Sequence, residues 1–435
     1  MRSYLPVWIK FSISSAFALL WLVASAWLSY PWLIDLSKVI GHFLAVPLVL
    51  FLALIPGYIN AFIATALLFD DRPRAKALAH FPDVNILLPV YNDGDVVEST
   101  VESLIKQDYR GIISIILIND GSTDKTVKIL QTLDSRYHQI HFINLKKNIG
   151  KAGALNEGLK YCTTDIVITV DADCWVKVDA VTNIVTRYLS DPRNTKAVAG
   201  TILIRNSREN WITRAQEWDY FLGIAAIKRI QSLFQGTLVA QGAFSLYDRP
   251  ALLNIGGWPE TVGEDIVLTW KLLSEGHRIG YAEDACVFTN CPNTLAQFVR
   301  QRQRWSRGLI EAFKASPDLL FKPRLTMMFI WWNLLFPLID TAYTLGFIPG
   351  LILAAFGKFW IVGPMTLALL PPGLLLNQIM FNAEKGMFDK SNLKVRQNIT
   401  GFLFYVVAYG IVLQPACVWG YISEIFQFKK HWGTK

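Results

Sequence analysis

Hydrophobic residues are concentrated towards the two ends of the chain, and polar residues occupy the middle. Residues 11–34 and 43–69 contain no Asp, Glu, Lys or Arg. Each run exceeds the roughly 20 residues that a helix needs to cross a bilayer, so both predict membrane-spanning helices. A signal peptide is an alternative for the first run, because Arg2 and Lys10 precede its centre and residues 24–26 resemble a cleavage site. The apolar run continues well past that site, which favours a membrane helix.

The C-terminal part is also apolar. Four stretches follow residue 324, namely 325–339, 341–357, 359–383 and 399–423. The first is short for a bilayer, so it either lies at the interface or forms half of a helix kinked at Pro337. Four spans would place the tail Lys429, Lys430 and Lys435 in the cytosol but the basic loop 385–396 outside, whereas three spans reverse both. The distribution of charge therefore does not decide between three and four C-terminal helices.

Charged residues crowd between Asp70 and Arg324, although they make up only 17% of the chain. Arg72, Arg74 and Lys76 follow the second apolar run, and positive residues favour the cytosolic side of a membrane. This predicts three parts. We expect two transmembrane helices in residues 1–70, a cytosolic domain in 71–324, and transmembrane or interfacial helices with a short basic tail in 325–435.

Composition narrows the choice of function. The chain is 52% hydrophobic, which exceeds the usual share in soluble globular proteins and agrees with membrane helices. The formal net charge of +8 alone would be compatible with nucleic-acid binding, but no block of Lys and Arg forms the basic footprint that such proteins use. We therefore expect no nucleic-acid partner. The five cysteines show no paired spacing typical of disulfides or zinc sites, which suits a reducing cytosol.

Five short, β-branched runs in the polar region have the character of buried strands. They cover residues 84–90, 112–118, 139–145, 165–170 and 195–204. Helical stretches separate several of them, and such alternation is typical of an α/β domain with a doubly wound, mostly parallel sheet. Ligands of these sheets bind beyond the carboxyl ends of the strands.

Carboxylates follow three of these runs. Asn92 and Asp93 come after the first, and Asp120 ends the second, although Asn, Asp and Gly are also common turn residues that need no ligand. Asp171 and Asp173 directly follow the fourth, buried run. Two carboxylates at such a position repel each other unless a cation joins them, which favours Mg²⁺ or Mn²⁺ with phosphate oxygens as further ligands. The alternative is a charged turn that points into solvent.

Three more groups are candidates for chemistry. Lys151 opens a helix, where a cation and free backbone N–H groups suit an anion, although a solvated lysine is the simpler interpretation. Asp265 lies in the first turn of a periodic helix and is either a general base or only a favourable helix-start acid. Gln301, Arg304 and Trp305 would share one helix face, and the alternative there is a basic helix beside a membrane.

Together these elements resemble the processive family 2 glycosyltransferases, which include cellulose, chitin, hyaluronan and poly-N-acetylglucosamine synthases. The resemblance spans nearly the whole chain. It rests on four motifs that occur in the family's order, namely Asn119-Asp120-Gly121-Ser122, Asp171-Ala172-Asp173, Glu264-Asp265 and Gln301-Arg302-Gln303-Arg304-Trp305. It implies a cytosolic GT-A-type domain between transmembrane helices, in the inner membrane of a bacterium.

The resemblance also implies roles for the site residues. Contacts to the nucleotide-sugar would come from Asn92, Asp120, Lys151, Asp171 and Arg304. Asp171 and Asp173 would hold Mg²⁺ or Mn²⁺, and Asp265 with Glu264 would form the catalytic pair, with Asp265 as the base. The growing polysaccharide would contact Gln241, Gly242, Gln301 and Trp305.

Within the group, the chain looks most like the bacterial poly-β-1,6-N-acetylglucosamine synthases. Gly263 to Ile266, Thr269 to Leu272 and the closing His431 to Lys435 carry this likeness. One departure is Gly263, where those enzymes usually have Thr. The resemblance implies that UDP-N-acetylglucosamine is polymerised and the β-linked product is translocated, with a small membrane accessory subunit as a further partner.

Three alternatives remain. The polymer could be of the cellulose, chitin or hyaluronan type. A non-processive transferase that moves one sugar onto a lipid phosphate would share the Asp-bearing turns but has no need for residues 301–305. A catalytically inactive protein that binds nucleotide-sugar and regulates a synthase is the third alternative, and Asp171, Asp173 and Asp265 together argue against it.

Overall fold

The computed structural model of the chain describes residues 5–70, 78, 80–363, 366, 370–391 and 397–429. Some residues used in the sequence analysis lie outside these ranges. They are Arg2, the cluster Arg72, Arg74 and Lys76, part of the basic loop 385–396, and the tail 430–435 with its closing His431 to Lys435.

The membrane part contains long apolar helices at both ends of the described chain. Among the described residues, three helices are long and apolar enough to cross a membrane, namely Val7–Ile40, His42–Leu68 and Met327–Ala355. Ile399–Val407 and Tyr409–Ile425 form a bent pair with a 52° angle, which would be a fourth span if the pair counts as one. The chain thus has helices that fit membrane spans, and the two N-terminal ones agree with the apolar pattern.

The C-terminal helices of the structure do not correspond one to one with the four apolar stretches of the sequence. Stretches 325–339 and 341–357 form a single helix, Met327–Ala355, with Pro337 inside it. The first stretch is therefore part of a longer helix that contains Pro337. Stretch 359–383 is not one helix, because residues 359–363 are not helical and the next described helix begins at Leu370 and continues to Ser391.

Fourteen helical segments are described in chain order. They are α1 (Val7–Ile40), α2 (His42–Leu68), α3 (Val97–Ile105), α4 (Thr126–Arg136), α5 (Gly150–Leu159), α6 (Ala180–Ser190), α7 (continuous over Trp211–Trp218, Asp219–Ala226 and Ile227–Leu233), α8 (Arg249–Asn254), α9 (Glu264–Ser274), α10 (Leu295–Ala315), α11 (Met327–Ala355), α12 (Leu370–Ser391), α13 (Ile399–Val407) and α14 (Tyr409–Ile425). Pro317–Phe321 adds a 3₁₀ turn after α10.

In the part of the chain that the structure describes, eight strands form one sheet. They are β1 (Val84–Val90), β2 (Ile113–Asp120), β3 (Ile140–Leu145), β4 (Ile166–Val170), β5 (Trp175–Val176), β6 (Thr195–Ile204), β7 (Phe244–Asp248) and β8 (Arg278–Thr289). Their order across the sheet is β3-β2-β1-β4-β7-β6-β8-β5. The five predicted strands are all present, and β5, β7 and β8 are additional.

The sheet is mixed. β1 to β4 are mutually parallel where they pair, and β6 is parallel to β8. β7 runs antiparallel between β4 and β6, and β5 runs antiparallel to β8. The predicted α/β class is confirmed, and its parallel character is strongest in the first four strands.

The parallel strands are buried on both faces, because helices cover both sides of the sheet. Ile86 and Leu88 of β1 pack with Leu117 in one hydrophobic core. The intervening Leu87 packs with Ile116 in the other core. Successive strand residues point to opposite faces, so a continuous apolar run fills two cores at once. The carboxyl ends of β1, β2 and β4 therefore meet at one edge, where the polar turns lie.

Candidate functional site

The turns after β1 and β2 are joined by hydrogen bonds. The Asn92 backbone N–H donates to Ser122 Oγ at 3.0 Å, and the Thr123 N–H donates to Asn92 Oδ1 at 2.9 Å. Asn92 has a φ of 53°, a left-handed conformation that Asn tolerates better than most residues. The Asn92 side chain therefore shapes this rim of the site, and its contact with a nucleotide stays a prediction.

Asp120 joins the end of β2 to the start of α5. Its buried Oδ1 accepts from the Ile149 N–H at 2.7 Å. Burial raises the pKa of Asp120, and the N–H groups of Ile149 and Gly150 oppose that rise. Gly121 follows with a φ of 67°, and a β-carbon there would lie 2.5 Å from the Asn148 nitrogen. Only glycine fits this turn without displacing the start of α5.

Lys151 lies at the centre of the site, on the first turn of α5. Its Nζ is 2.5 Å from Asp171 Oδ1 and 3.7 Å from Glu264 Oε1. Burial acts to lower the pKa of Lys151, but the charges of Asp171, Glu264 and Asp265 outweigh it and the pKa is raised. Lys151 is therefore a cation that connects the predicted metal pair with the predicted catalytic pair.

Gly242, in the loop before β7, leaves room for this cation. A β-carbon at Gly242 would lie 2.6 Å from Lys151 Nζ. Its backbone N–H donates to Asp265 Oδ2 at 3.3 Å. The neighbouring Gln241 donates from Nε2 to the Gly200 carbonyl at 2.5 Å. The segment predicted to bind the acceptor thus touches both Lys151 and the predicted base.

Asp171 and Asp173 lie together in the turn after β4. Burial raises the pKa of Asp173 to about 6, the charges of Asp171 and Asp93 add to the rise, and Lys151 opposes it. Within the described ranges, no group of three or more His, Cys, Asp or Glu side chains is placed to hold a metal ion. If a divalent ion binds at this pair, most of its ligands must come from substrate oxygens and water.

Glu264 and Asp265 form the first turn of α9, where the helix dipole favours acids. Asp265 Oδ1 accepts from the Ile266 N–H at 2.8 Å. Burial raises the pKa of Glu264, Lys151 and Arg304 oppose that rise, and Asp265 adds to it. The first-turn position alone does not account for Asp265, because Gly242 also orients its second oxygen.

Gly263 begins this acidic turn and contacts α10 directly. A β-carbon on Gly263 would lie 2.5 Å from the Gly308 Cα. The Gly263 N–H donates to Glu311 Oε2, also on α10, at 2.9 Å. The departure from Thr at this position therefore has a steric reason, since the two backbones touch.

Helix α10 carries the predicted acceptor residues. Gln301 is buried, Arg304 is half-buried, and Trp305 is 39% exposed with its ring centroid 6.1 Å from that of Tyr220. Neither Gln241 Oε1 nor Gln301 Oε1 has a hydrogen-bond partner among the residues that the structure describes, although both atoms are buried. Two unsatisfied amide oxygens thus come from the two segments predicted to bind the acceptor.

Two residues of this region were not singled out from the sequence. Lys228 of α7 is buried, and burial lowers its pKa to about 7 against the opposing charge of Asp265. Arg302 of α10 places its Cζ 4.1 Å from the Trp305 ring centroid. Arg302 could have been noticed within the Gln301 to Trp305 motif, whereas no local signal marks Lys228.

Comparison with known proteins agrees with these features. Residues 85–256 match the glycosyl transferase family 2 model. The chain is 32% identical over 269 residues to the poly-β-1,6-N-acetyl-D-glucosamine synthase of Staphylococcus aureus (strain MSSA476), covering 59% of this chain and 64% of that protein. It is 34% identical over 226 residues to the synthase of the same name from Staphylococcus epidermidis, covering 52% and 54%. The chain thus spans less than two thirds of the length of these relatives.

A solved structure supports the fold. The mannosyltransferase of Pyrobaculum calidifontis, in complex with GDP-Man and Mn²⁺, superposes with a TM-score of 0.57 at 16% identity. The superposition covers 92% of this chain and all of that chain. The GT-A-type fold implied by the resemblance is confirmed, and residues 85–256 are the part of the chain that is similar to the glycosyl transferase family 2 model.

Proposed function

We propose that the chain is a processive, inverting glycosyltransferase of the bacterial inner membrane. It polymerises UDP-N-acetylglucosamine into β-linked poly-N-acetylglucosamine and translocates the product across the membrane. The similarity to the staphylococcal synthases supports this substrate and product. The observation that carries the proposal is the position of Lys151, whose ammonium contacts both Asp171 and Glu264.

The donor side of the site combines positively charged side chains with carboxylates that could hold a metal ion. Asn92, Asp120, Lys151, Asp171 and Arg304 bind the nucleotide-sugar. Asp171 and Asp173 fit Mg²⁺ or Mn²⁺, because both offer hard carboxylate oxygens and a cation would relieve the repulsion by which Asp171 raises the pKa of Asp173. When bound, the ion would neutralise charge on the diphosphate. Lys151 and Arg304 supply further positive charge for the same leaving group, as pre-organised cations stabilise developing charge.

The acceptor side contains a base and a platform. Asp265 takes the proton of the attacking hydroxyl, a contribution of about 10² to 10⁴ in rate. Gly242 and Ile266 donate to its two oxygens and hold the carboxylate in place. Trp305 stacks on the apolar face of the terminal sugar. The free oxygens of Gln241 and Gln301 accept hydrogen bonds from sugar hydroxyls.

The product leaves through the apolar helices at the two ends of the chain. These helices also contact the lipid bilayer. α10 packs directly on α14, since a β-carbon at Gly420 would lie 2.5 Å from the Gln303 carbonyl oxygen. The platform is thus built against a membrane helix. By similarity to poly-N-acetylglucosamine systems, a small membrane accessory subunit is a further partner.

The test is synthesis by the purified protein in lipid nanodiscs. The protein is incubated with Mg²⁺ or Mn²⁺ and each labelled UDP-sugar in turn, and the product is sized and digested with linkage-specific hydrolases. A long polymer from UDP-N-acetylglucosamine that a β-1,6-specific hydrolase cuts is the expected result. A long polymer of another sugar would change the substrate, and transfer of one sugar to lipid would overturn processivity.

A further inference from the structure

A buried polar cluster joins helix α10 to the membrane helix α14. Arg302 Nη2 lies 2.8 Å from Asp219 Oδ2 and donates to the Tyr409 hydroxyl at 3.1 Å. The Tyr409 hydroxyl in turn donates to Asp219 Oδ2 at 3.0 Å. All three residues are at least nine-tenths buried. The three groups therefore form a closed triangle in which each group contacts the other two.

The same guanidinium also supports the predicted acceptor platform. Arg302 Cζ lies 4.1 Å from the Trp305 ring centroid and 5.0 Å from the Phe298 ring centroid. A planar guanidinium can stack on aromatic faces while its edge donates hydrogen bonds, which an ammonium cannot do. Arg302 thus lies over the Trp305 ring and is itself held by Asp219 and Tyr409.

Tyr409 lies at a break in the membrane part. It is the first residue of α14, directly after Ala408, where α13 and α14 bend by 52°. Further along α14, Gly420 contacts Ser306 and Gln303 of α10 so closely that a β-carbon there would lie 2.0 Å from Ser306 Oγ. A shift of α14 would therefore move both the Tyr409 hydroxyl and the backbone of α10.

We infer that Arg302 is a positioning residue that couples the bend at the start of α14 to the orientation of the Trp305 ring. It acts through Trp305, whose ring lies against its guanidinium. The coupling itself rests on the triangle of Arg302, Asp219 and Tyr409. Its consequence for polymer synthesis rests on the proposed function, in which Trp305 holds the chain end between transfers.

The first experiment measures the ring directly. The protein is labelled with 5-fluorotryptophan and studied by ¹⁹F NMR in nanodiscs, and Trp305→Phe assigns the Trp305 resonance among the 15 tryptophans. Tyr409→Phe removes the hydroxyl that bridges Arg302 and Asp219. The matched control is Glu424→Gln, which weakens another buried contact between the same two helices, to Arg307 and Lys314.

The expected result is that the Trp305 resonance shifts or broadens in Tyr409→Phe and stays in place in Glu424→Gln. Arg302→Lys should move it in the same direction as Tyr409→Phe, because Lys keeps the charge but not the planar stack. An unchanged Trp305 resonance in both Tyr409→Phe and Arg302→Lys would overturn the inference. An equal shift in Glu424→Gln would also overturn it, since any loosening of α14 would then suffice.

The second experiment measures product length in the same nanodiscs. We expect Tyr409→Phe to shorten the median polymer by about threefold, because Arg302 then loses one of the two groups that hold it against the Trp305 ring, while the KM for the donor stays near the wild-type value. Glu424→Gln should leave the length unchanged. If the wild type makes no polymer, the proposed function fails while the ¹⁹F result still decides the coupling. If the wild type polymerises and Tyr409→Phe gives product of wild-type length, the orientation of Trp305 does not control polymer length, and that part of the inference is wrong.

Discussion

The backbone of Gly263 touches that of Gly308, so the acidic turn of α9 and the Trp305 helix α10 meet without any side chain between them. A β-carbon at Gly263 would lie 2.5 Å from the Gly308 Cα, and a backbone atom cannot move aside as a flexible side chain can. The distance between the predicted base and the predicted acceptor platform therefore depends on this contact.

Gly263→Ala should destabilise the protein by about 1–3 kcal/mol, the usual cost of overpacking. It should also reduce turnover, because α9 must move away from α10. Thermal unfolding and product formation in nanodiscs measure the two effects. Gly386→Ala is the control, since a β-carbon at Gly386 of α12 meets no atom of the described residues within 4 Å. Equal stability of Gly263→Ala and wild type would mean that the two helices are not in this contact.

Asp265→Asn should lower turnover by about 10² to 10⁴, because the amide cannot take the acceptor proton. UDP binding should stay close to that of the wild type, since the proposed role of Asp265 is towards the acceptor hydroxyl; the single amide oxygen of Asn keeps one of the two hydrogen bonds from Gly242 and Ile266. Turnover and UDP affinity are measured on the same preparation. The exposed Glu260→Gln is the matched control. Wild-type turnover in Asp265→Asn would remove Asp265 from its proposed role.

Lys151→Gln should weaken donor binding by about tenfold to a hundredfold, because it removes a charge-assisted contact. It should also leave Asp171 and Glu264 without their shared cation. Affinity for UDP and for the UDP-sugar is measured by calorimetry in nanodiscs. Lys146→Gln serves as the control on the exposed segment just before α5. Donor affinity that does not change would separate Lys151 from the nucleotide.

Lys228→Met should raise the melting temperature most at low pH. Burial lowers the folded-state pKa of Lys228 to about 7 from its ordinary 10.5, so between these values the unfolded chain binds more protons than the folded one. Wild-type stability then rises with pH across this window, and the full penalty of the buried charge remains below it. The advantage of Lys228→Met should therefore shrink between about pH 6 and about pH 9.

Scanning fluorimetry at both pH values measures this difference. Lys128→Met, at an exposed position on α4, is the control and should show no such trend. An advantage of Lys228→Met that is equal at both pH values would mean that Lys228 stays protonated throughout, and that its charge is compensated in the folded protein.

Chelation of divalent ions should abolish sugar transfer, and added Mg²⁺ or Mn²⁺ should restore it. Asp173→Asn should require about tenfold or more Mn²⁺ for the same rate, because one of two carboxylate ligands is lost. A titration of activity against metal concentration measures this, with the exposed Glu98→Gln as the control. Full activity after chelation would exclude the metal from the proposed mechanism.

The order of polar and apolar residues along the chain was sufficient to predict much of the architecture. The two N-terminal membrane helices and the first four parallel strands follow from local runs, because a spanning helix and a buried strand each require a continuous apolar segment. The polar turns after β1, β2 and β4 could be placed at one edge for the same reason, since parallel strands end together. Their assembly at the site could be expected from order alone.

Other features depend on contacts between distant parts of the chain. The apolar pattern predicted two separate stretches, 325–339 and 341–357, because Asp340 lies between them and an acid normally interrupts a membrane helix. In the structure they form the single helix Met327–Ala355. In the folded protein, Tyr421 donates to Asp340 at 2.9 Å, so the acid has a partner and the helix continues. Similarly, β7 is inserted antiparallel between β4 and β6, a pairing set by the sheet rather than by its own short sequence.

The sequence by itself determined the membrane helices, the α/β class and the identity of the acidic and basic groups, because each depends on local hydrophobicity and residue type. Only the tertiary structure decided which groups touch. Lys151 meets both Asp171 and Glu264, Gly263 meets Gly308, and Arg302 meets Tyr409 through packing between remote elements. Such contacts are set by how helices and strands fit against one another, and no local pattern encodes that fit.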